Sequence, residues 1–169
     1  MNNFVKIAAI GAILGLAACA RPAQDMQVQD PYAGGAGAGG VGSSALPGTA
    51  EYFKANVGDT VLFAVDQSSL SPDARSVLAN QAGWLNQNQA FSAVVEGHAD
   101  EQGTREYNIA LGARRANSVQ EYLISQGVAP GRLRTVSYGK ERPLAVCSTE
   151  ECYSRNRRAV TAVSPGAGM

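Results

Sequence analysis

The chain has 169 residues, with 14 basic and 14 acidic side chains and a single His, and so carries no formal net charge. That length fits one ordinary domain plus its ends and excludes a large multidomain enzyme. A neutral chain has no long-range field with which to gather nucleic acid, and the 19 glycines crowd towards the N-terminus, so the folded part is shorter than the chain.

Residues 1–18 open with a short polar stretch carrying Lys6, run apolar from Ile7 to Leu16, and end in Leu16-Ala17-Ala18 ahead of Cys19. This is the pattern of a secretory signal that is removed. At about 10 residues the apolar run is too short to cross a bilayer core of roughly 30 Å as a helix. Small residues before a Cys resemble the bacterial lipobox, in which the thiol is alkylated with diacylglycerol and the Cys becomes the new N-terminus. Cys19 is the expected lipid anchor, and two or more acyl chains hold a protein stably where one does not. The alternative is an ordinary signal followed by an incidental Cys.

Residues 19–56 are expected to form a lipidated, flexible linker. Between Ala20 and Thr49 lie Arg-Pro, Asp-Pro and the run Gly34-Gly35-Ala36-Gly37-Ala38-Gly39-Gly40, with almost nothing to bury. About 30 such residues span near 30 Å on average and about 100 Å when stretched.

The folded domain is expected over residues 57–164. Val61-Leu62-Phe63 with Val65 reads as a short buried strand. Ser71-Pro72-Asp73 then supplies an N-cap, a first-turn Pro and an early acid, and Ala74, Val77, Leu78, Ala82 and Leu85 continue at helical spacing, predicting a helix over 72–88. Phe91 to His98 is a second strand, and Gly103-Thr104 opens a second helix of about 20 residues that stops at Gly127. Arg134 to Tyr138 and Arg158 to Val163 supply two further strands. The order implies an α+β two-layer sandwich of about four strands with two main helices on one face of the sheet.

With Tyr107 at zero and about 100° per residue, Leu111, Tyr122, Val119 and Leu123 fall in an arc from about 40° to about 160°, the expected buried face. Arg115 at about 80° and Asn108 at about 100° sit in the middle of it, where a guanidinium needs something to satisfy it. Arg114 lies at its edge. One reading is a structural salt bridge under the helix; the other is a ligand site. Asp100, between a strand and a helix N-terminus, favours the second, because loops there present functional groups.

Glu96-Gly97-His98-Ala99-Asp100-Glu101-Gln102-Gly103-Thr104 and Tyr107-Asn108-Ile109-Ala110-Leu111-Gly112-Ala113-Arg114-Arg115-Ala116-Asn117-Ser118-Val119 resemble the signature of the OmpA-like peptidoglycan-binding domain family. Val136-Ser137-Tyr138-Gly139-Lys140-Glu141-Arg142-Pro143 and Asn156-Arg157-Arg158-Ala159-Val160 extend the likeness over roughly residues 58–163. The resemblance implies a non-catalytic domain, needing no cofactor or metal, that holds the diaminopimelate side chain of the cell-wall stem peptide. It places the ligand-binding acid at Asp100 and the arginine at Arg115, with Phe63, Asp66, Thr104, Asn108 and Leu111 as further candidates. Gly112 replaces the Ser more usual in the family, a change expected to matter little, and Ala64 stands where many relatives carry Asp or Gly.

With the lipobox in front, the resemblance also implies an outer-membrane lipoprotein facing the periplasm. It would bind peptidoglycan, dock TolB and other Tol proteins, and so link membrane to wall and support envelope integrity and cell division. The alternative is a wall-anchoring lipoprotein without Tol partners. Ala20 after Cys19, in place of Asp, is expected to favour the outer membrane.

The chemistry suits that ligand. The free end of meso-diaminopimelate carries an ammonium and a carboxylate; Asp100 can accept from the first and Arg115 can clamp the second with two parallel N–H bonds. A periplasmic hydrolase or zinc centre is the weaker reading, because His98 is the sole His and no nucleophile with a partnered base can be assembled. His98 is read instead as a hydrogen-bonded strand-end residue supporting the Asp100 loop. Arg132, Arg134, Arg155, Arg157 and Arg158 read as a solvated rim or protein-partner surface, without the aromatic interleaving of a nucleic-acid site.

Cys147 and Cys152 remain after Cys19, and an even pair in an oxidising compartment is expected to bridge, pinning the turn that leads to Tyr153 and the last strand. Two free thiols, or a metal clip with His98, are the alternatives.

Overall fold

The computed structural model describes residues 46–166. The signal segment, Cys19 and the Gly/Ala-rich run lie outside them. Among the described residues no helix is long and apolar enough to cross a membrane.

A short helix α1 (Ala50–Tyr52), started by Thr49, continues into a wider turn at Phe53–Val57 and leads to β1 (Thr60–Leu62). Helix α2 (Pro72–Gln87) follows, with the Ser71 hydroxyl accepting from the Ala74 N–H and Pro72 in its first turn. Strand β2 (Phe91–His98) leads to α3 (Arg105–Ser125), which Thr104 caps by accepting from the Tyr107 N–H. Gly127, at φ +92°, lets the chain turn out of α3. A 3-10 turn (Pro130–Arg132), β3 (Leu133–Gly139), α4 (Glu150–Asn156) and β4 (Arg158–Pro165) complete the order.

The four strands form one sheet in the order β1-β4-β2-β3, with β2 and β3 parallel and β4 antiparallel to both of its neighbours. The α+β architecture and the two principal helices agree with expectation. Leu78, Leu85, Val95, Val119 and Leu123 fill the core between helices and sheet.

Four details depart from the sequence reading. Residues 50–56, expected within the linker, are helical because Phe53 is only 1% exposed, with its ring 4.9 Å from that of Trp84. That aromatic contact extends the folded part N-terminally. Val65, expected in the first strand, lies beyond it and is exposed. Tyr107, the reference point of the helical arc, is 42% exposed, whereas Asn108, Leu111, Gly112, Arg115, Ala116, Val119 and Leu123 are buried. The turn before the last strand contains α4, too short for periodicity to reveal.

Helix α3 lies unusually close to the sheet. A Cβ built on Gly97 would fall 1.8 Å from the Gly112 carbonyl oxygen, and one on Gly112 would fall 2.4 Å from Ser137 Oγ and 2.8 Å from the Gly97 oxygen. Gly112 therefore matters more than expected: it lets backbone rest on backbone, and Ser137 Oγ donates to the Ile109 carbonyl at 2.7 Å across the same contact.

Candidate functional site: a hollow at the sheet end

The C-terminal end of β2, the loop after β1 and the first turns of α3 enclose a hollow of about 230 Å³ lined by Val65, Asp66, Asp100, Gln102, Gly103, Tyr107, Asn108, Leu111 and Arg115. Five of the expected residues (Asp66, Asp100, Asn108, Leu111 and Arg115) line it together. Phe63 is beneath them, its ring 5.2 Å from the Arg115 guanidinium carbon. Thr104 is not among the lining residues; it caps α3. A larger hollow of about 550 Å³ along α2 is lined by no charged side chain.

Arg115 is fully buried. Its Nε donates to the Gln67 carbonyl at 2.8 Å, Nη1 to the His98 carbonyl at 2.8 Å and Nη2 to the Ala64 carbonyl at 3.2 Å. The guanidinium thus ties together the loop after β1 and the end of β2. Carbonyl dipoles satisfy donors but do not neutralise a charge, and Arg115 makes no ion pair among the described residues. Burial pushes its pKa down to about 10, opposed chiefly by the charge of Asp100. The salt bridge under the helix, one of the two readings of this residue, is absent among the described residues.

Asp100 is 7% exposed and pairs with a different arginine: Arg157 Nη1 donates to its Oδ2 at 3.1 Å. Its Oδ1 accepts from the Gln102 N–H at 3.2 Å, and Asn108 Nδ2 donates to the Gln102 carbonyl at 2.8 Å, so the acid and its loop are held from both sides. Over the mouth, Asp66 adopts φ +55°, left-handed backbone that a non-glycine residue enters at some strain, and its carboxylate accepts from the Tyr107 hydroxyl.

Sequence reasoning missed Arg157. Read as part of a solvated rim, it is 5% exposed, donates to Asp100, Glu150 and the Phe63 carbonyl, and its hydrogen bond to Glu150 raises its pKa. Arg158 is buried too, and Arg132 donates to the Phe91, Leu85 and Asn88 carbonyls, so these cations brace the fold rather than form a free patch. The available signal was that Asn156-Arg157-Arg158 opens a strand, where alternate residues face the layers of the domain.

His98 also differs from expectation. It is buried, but neither ring nitrogen has a hydrogen-bond partner; its ring lies 5.5 Å from that of Tyr138, and Glu96 Oε2 is 3.8 Å from Nε2. Burial, with the positive charges of Arg158 and Arg142, lowers its pKa to about 4. Its backbone supports the site by accepting from Arg115. Cys147 and Cys152 are joined by a disulfide with a Cα–Cα distance of 5.7 Å. No group of three or more His, Cys, Asp or Glu side chains among the described residues is placed to hold a metal.

A small one-sheet domain thus brings an acid and a guanidinium without a carboxylate partner to one hollow. The OmpA family model matches residues 62–157. The chain is 52% identical over 167 residues to the peptidoglycan-associated lipoprotein of Mesorhizobium japonicum, covering 99% of this chain and 95% of that one. It is 48% identical over 163 residues to the peptidoglycan-associated lipoprotein of Agrobacterium fabrum, covering 96% and 89%. The crystal structure of the peptidoglycan-associated lipoprotein from Burkholderia pseudomallei superimposes with a TM-score of 0.65 at 30% identity, covering 69% of this chain and all of that one. The chain belongs to the OmpA family and, within it, to the family of peptidoglycan-associated lipoproteins. The domain is a non-enzymatic one.

Proposed function

We propose that this chain is an outer-membrane lipoprotein that grips peptidoglycan non-covalently through the diaminopimelate end of the stem peptide. The name shared by its relatives supports the wall as the partner. The observation that carries the ligand reading is Arg115: a buried cation held by three carbonyls, with no carboxylate of its own and Asp100 on the same hollow. A ligand carboxylate would supply the missing counter-charge, and Asp100 would receive the ammonium. Because Arg115 is buried and the exposed Asp66 and Tyr107, hydrogen-bonded to each other, line the same hollow, entry would move Asp66 aside.

The test is co-sedimentation of the full chain with purified sacculi. Asp100→Ala and Arg115→Ala are expected to abolish binding per folded molecule, with melting curves recorded in parallel. Sacculi with lysine in place of diaminopimelate lack the carboxylate that would meet Arg115, forgo its charge-assisted hydrogen bonds, and are expected to bind about 10- to 100-fold more weakly. Wild-type binding by Asp100→Ala, or equal affinity for the two walls, would overturn the ligand assignment.

The same reading has the chain anchored through Cys19, facing the periplasm and exchanging between wall and TolB within the Tol system, and so supporting envelope integrity and division. Metabolic labelling with an acyl probe is expected to tag the chain and to fail on Cys19→Ser; a label that persists refutes the anchor. TolB is expected to release the chain from sacculi, and a TolB that neither binds nor competes leaves a wall anchor alone.

A further inference from the structure

The disulfide encloses Ser148, Thr149, Glu150 and Glu151, and the enclosed loop reaches the acid of the hollow by two separate routes. Glu150 pairs with both terminal nitrogens of Arg157, and Arg157 in turn donates to Asp100 Oδ2 at 3.1 Å. Ser148 Oγ donates at 3.0 Å to Glu101, the residue after Asp100, and Tyr153, adjoining the bridge, donates to the same oxygen at 2.9 Å. Arg157 also donates to the Phe63 carbonyl, so the acid and the aromatic floor beneath Arg115 share one brace. Glu150 is the first residue of α4, where a helix frays most readily, and its side chain is 67% exposed, so burial does not hold it on Arg157. A covalent bond from Cys147, ahead of the helix, to Cys152 within it restrains that frayed end, because it removes most of the alternative conformations of the segment between them.

We infer that the Cys147–Cys152 loop is a positioning element for the wall site: it holds Glu150 on Arg157 and Ser148 on Glu101, and thereby sets Asp100, so that opening the bridge weakens ligand binding while the domain stays folded. Glu150 and Arg157 are positioning residues, acting on ligand only through Asp100. The inference rests on the reading of Asp100 and Arg115 as the wall site. Opening is a two-electron step: a dithiol reductant transfers two electrons and two protons to the Cys147 and Cys152 sulfurs and becomes a cyclic disulfide.

The experiment titrates the full chain in detergent with a soluble muropeptide ending in free diaminopimelate, oxidised and after dithiol reduction, in wild type and in Glu150→Gln. Melting curves are recorded for every sample. Either change alone is expected to weaken binding about threefold to fivefold, the range that a half-exposed charge pair supports. The two together are expected to weaken it little further, because both act through one contact, and Glu150→Asp is expected to recover part of the loss. A merely structural bridge would lower the melting temperature and leave affinity per folded molecule unchanged, which overturns the inference, as do fully additive effects. Oxidised wild type that fails to bind the muropeptide refutes the underlying site assignment, and the inference with it; oxidised wild type that binds while reduction changes nothing refutes the inference alone.

Discussion

Gly97→Ala tests the contact on which the whole site is mounted. The new Cβ would lie 1.8 Å from the Gly112 carbonyl oxygen, 2.6 Å from its carbon and 3.2 Å from Ala116 Cβ. A close C···O approach is about 3.3 Å, so α3 must lift from β2 by roughly 1.5 Å. The atoms in the way are helix backbone, which cannot rotate aside as a side-chain end can. Overpacking of this kind costs about 1–3 kcal/mol, and for a domain of this size lowers Tm by about 4–12 °C. Lifting α3 also carries Asn108, Leu111 and Arg115 away from Asp100 on the sheet end, so sacculus binding per folded molecule falls as well. Gly83→Ala is the matched control: it lies within α2, nothing stands within 4 Å of its new Cβ, and it is expected to raise stability by about 0.5–1 kcal/mol through helix propensity. Circular dichroism melts of the full chain read both. A Gly97→Ala protein melting within about 1 °C of wild type would refute the close seating of α3 and the magnitude drawn from it.

Lowering the pH is expected to weaken the fold through His98. The unfolded chain takes up its proton near the ordinary 6.5, whereas the buried ring resists to about 4, so stability is whole above 6.5 and drains as pH falls towards 4. The slope attributable to this group is at most about 1.4 kcal/mol per pH unit. Urea unfolding of wild type and His98→Phe at several pH values separates it from the carboxylates, and parallel losses in the two proteins would remove His98 as the cause. Tyr107→Phe deletes the hydroxyl that holds Asp66 over the mouth, and is expected to speed muropeptide association by about 2- to 10-fold, the worth of one hydrogen bond. An unchanged rate in stopped-flow would show that Asp66 is no barrier. Mass spectrometry of the non-reduced chain is expected to find the peptide holding Cys147 and Cys152 two hydrogens lighter than after reduction, and complete alkylation without reductant would exclude the bridge.

Most of the element ends could be read from the sequence because the signals are local. Ser71-Pro72 and Thr104 satisfy the first N–H groups of their helices, and Gly127 adopts the positive φ that ends α3, whatever the rest of the chain does. Arg115 also announced itself, since a charge in the centre of an apolar helical arc needs a partner wherever that arc docks. Asp100 was legible from its place between a strand and a helix.

Other features depended on distant segments meeting. Phe53 looked like part of a linker until Trp84, 31 positions on, offered a ring to pack against. Arg157 was indistinguishable from the exposed arginines around it, because its burial follows from the antiparallel pairing of β4 with β2, which sets Gly97 against Ala159 and brings the start of β4 to Asp100. Gly112 seemed an incidental substitution because the sequence does not say how closely a helix approaches its sheet. Caps, periods and an anomalous charge are properties of neighbours along the chain, and sequence by itself determined them here. Which arginine neutralises Asp100, and which is left with carbonyls alone and a charge still to be met, was decided by strand order, a long-range pairing that only the assembled sheet contains.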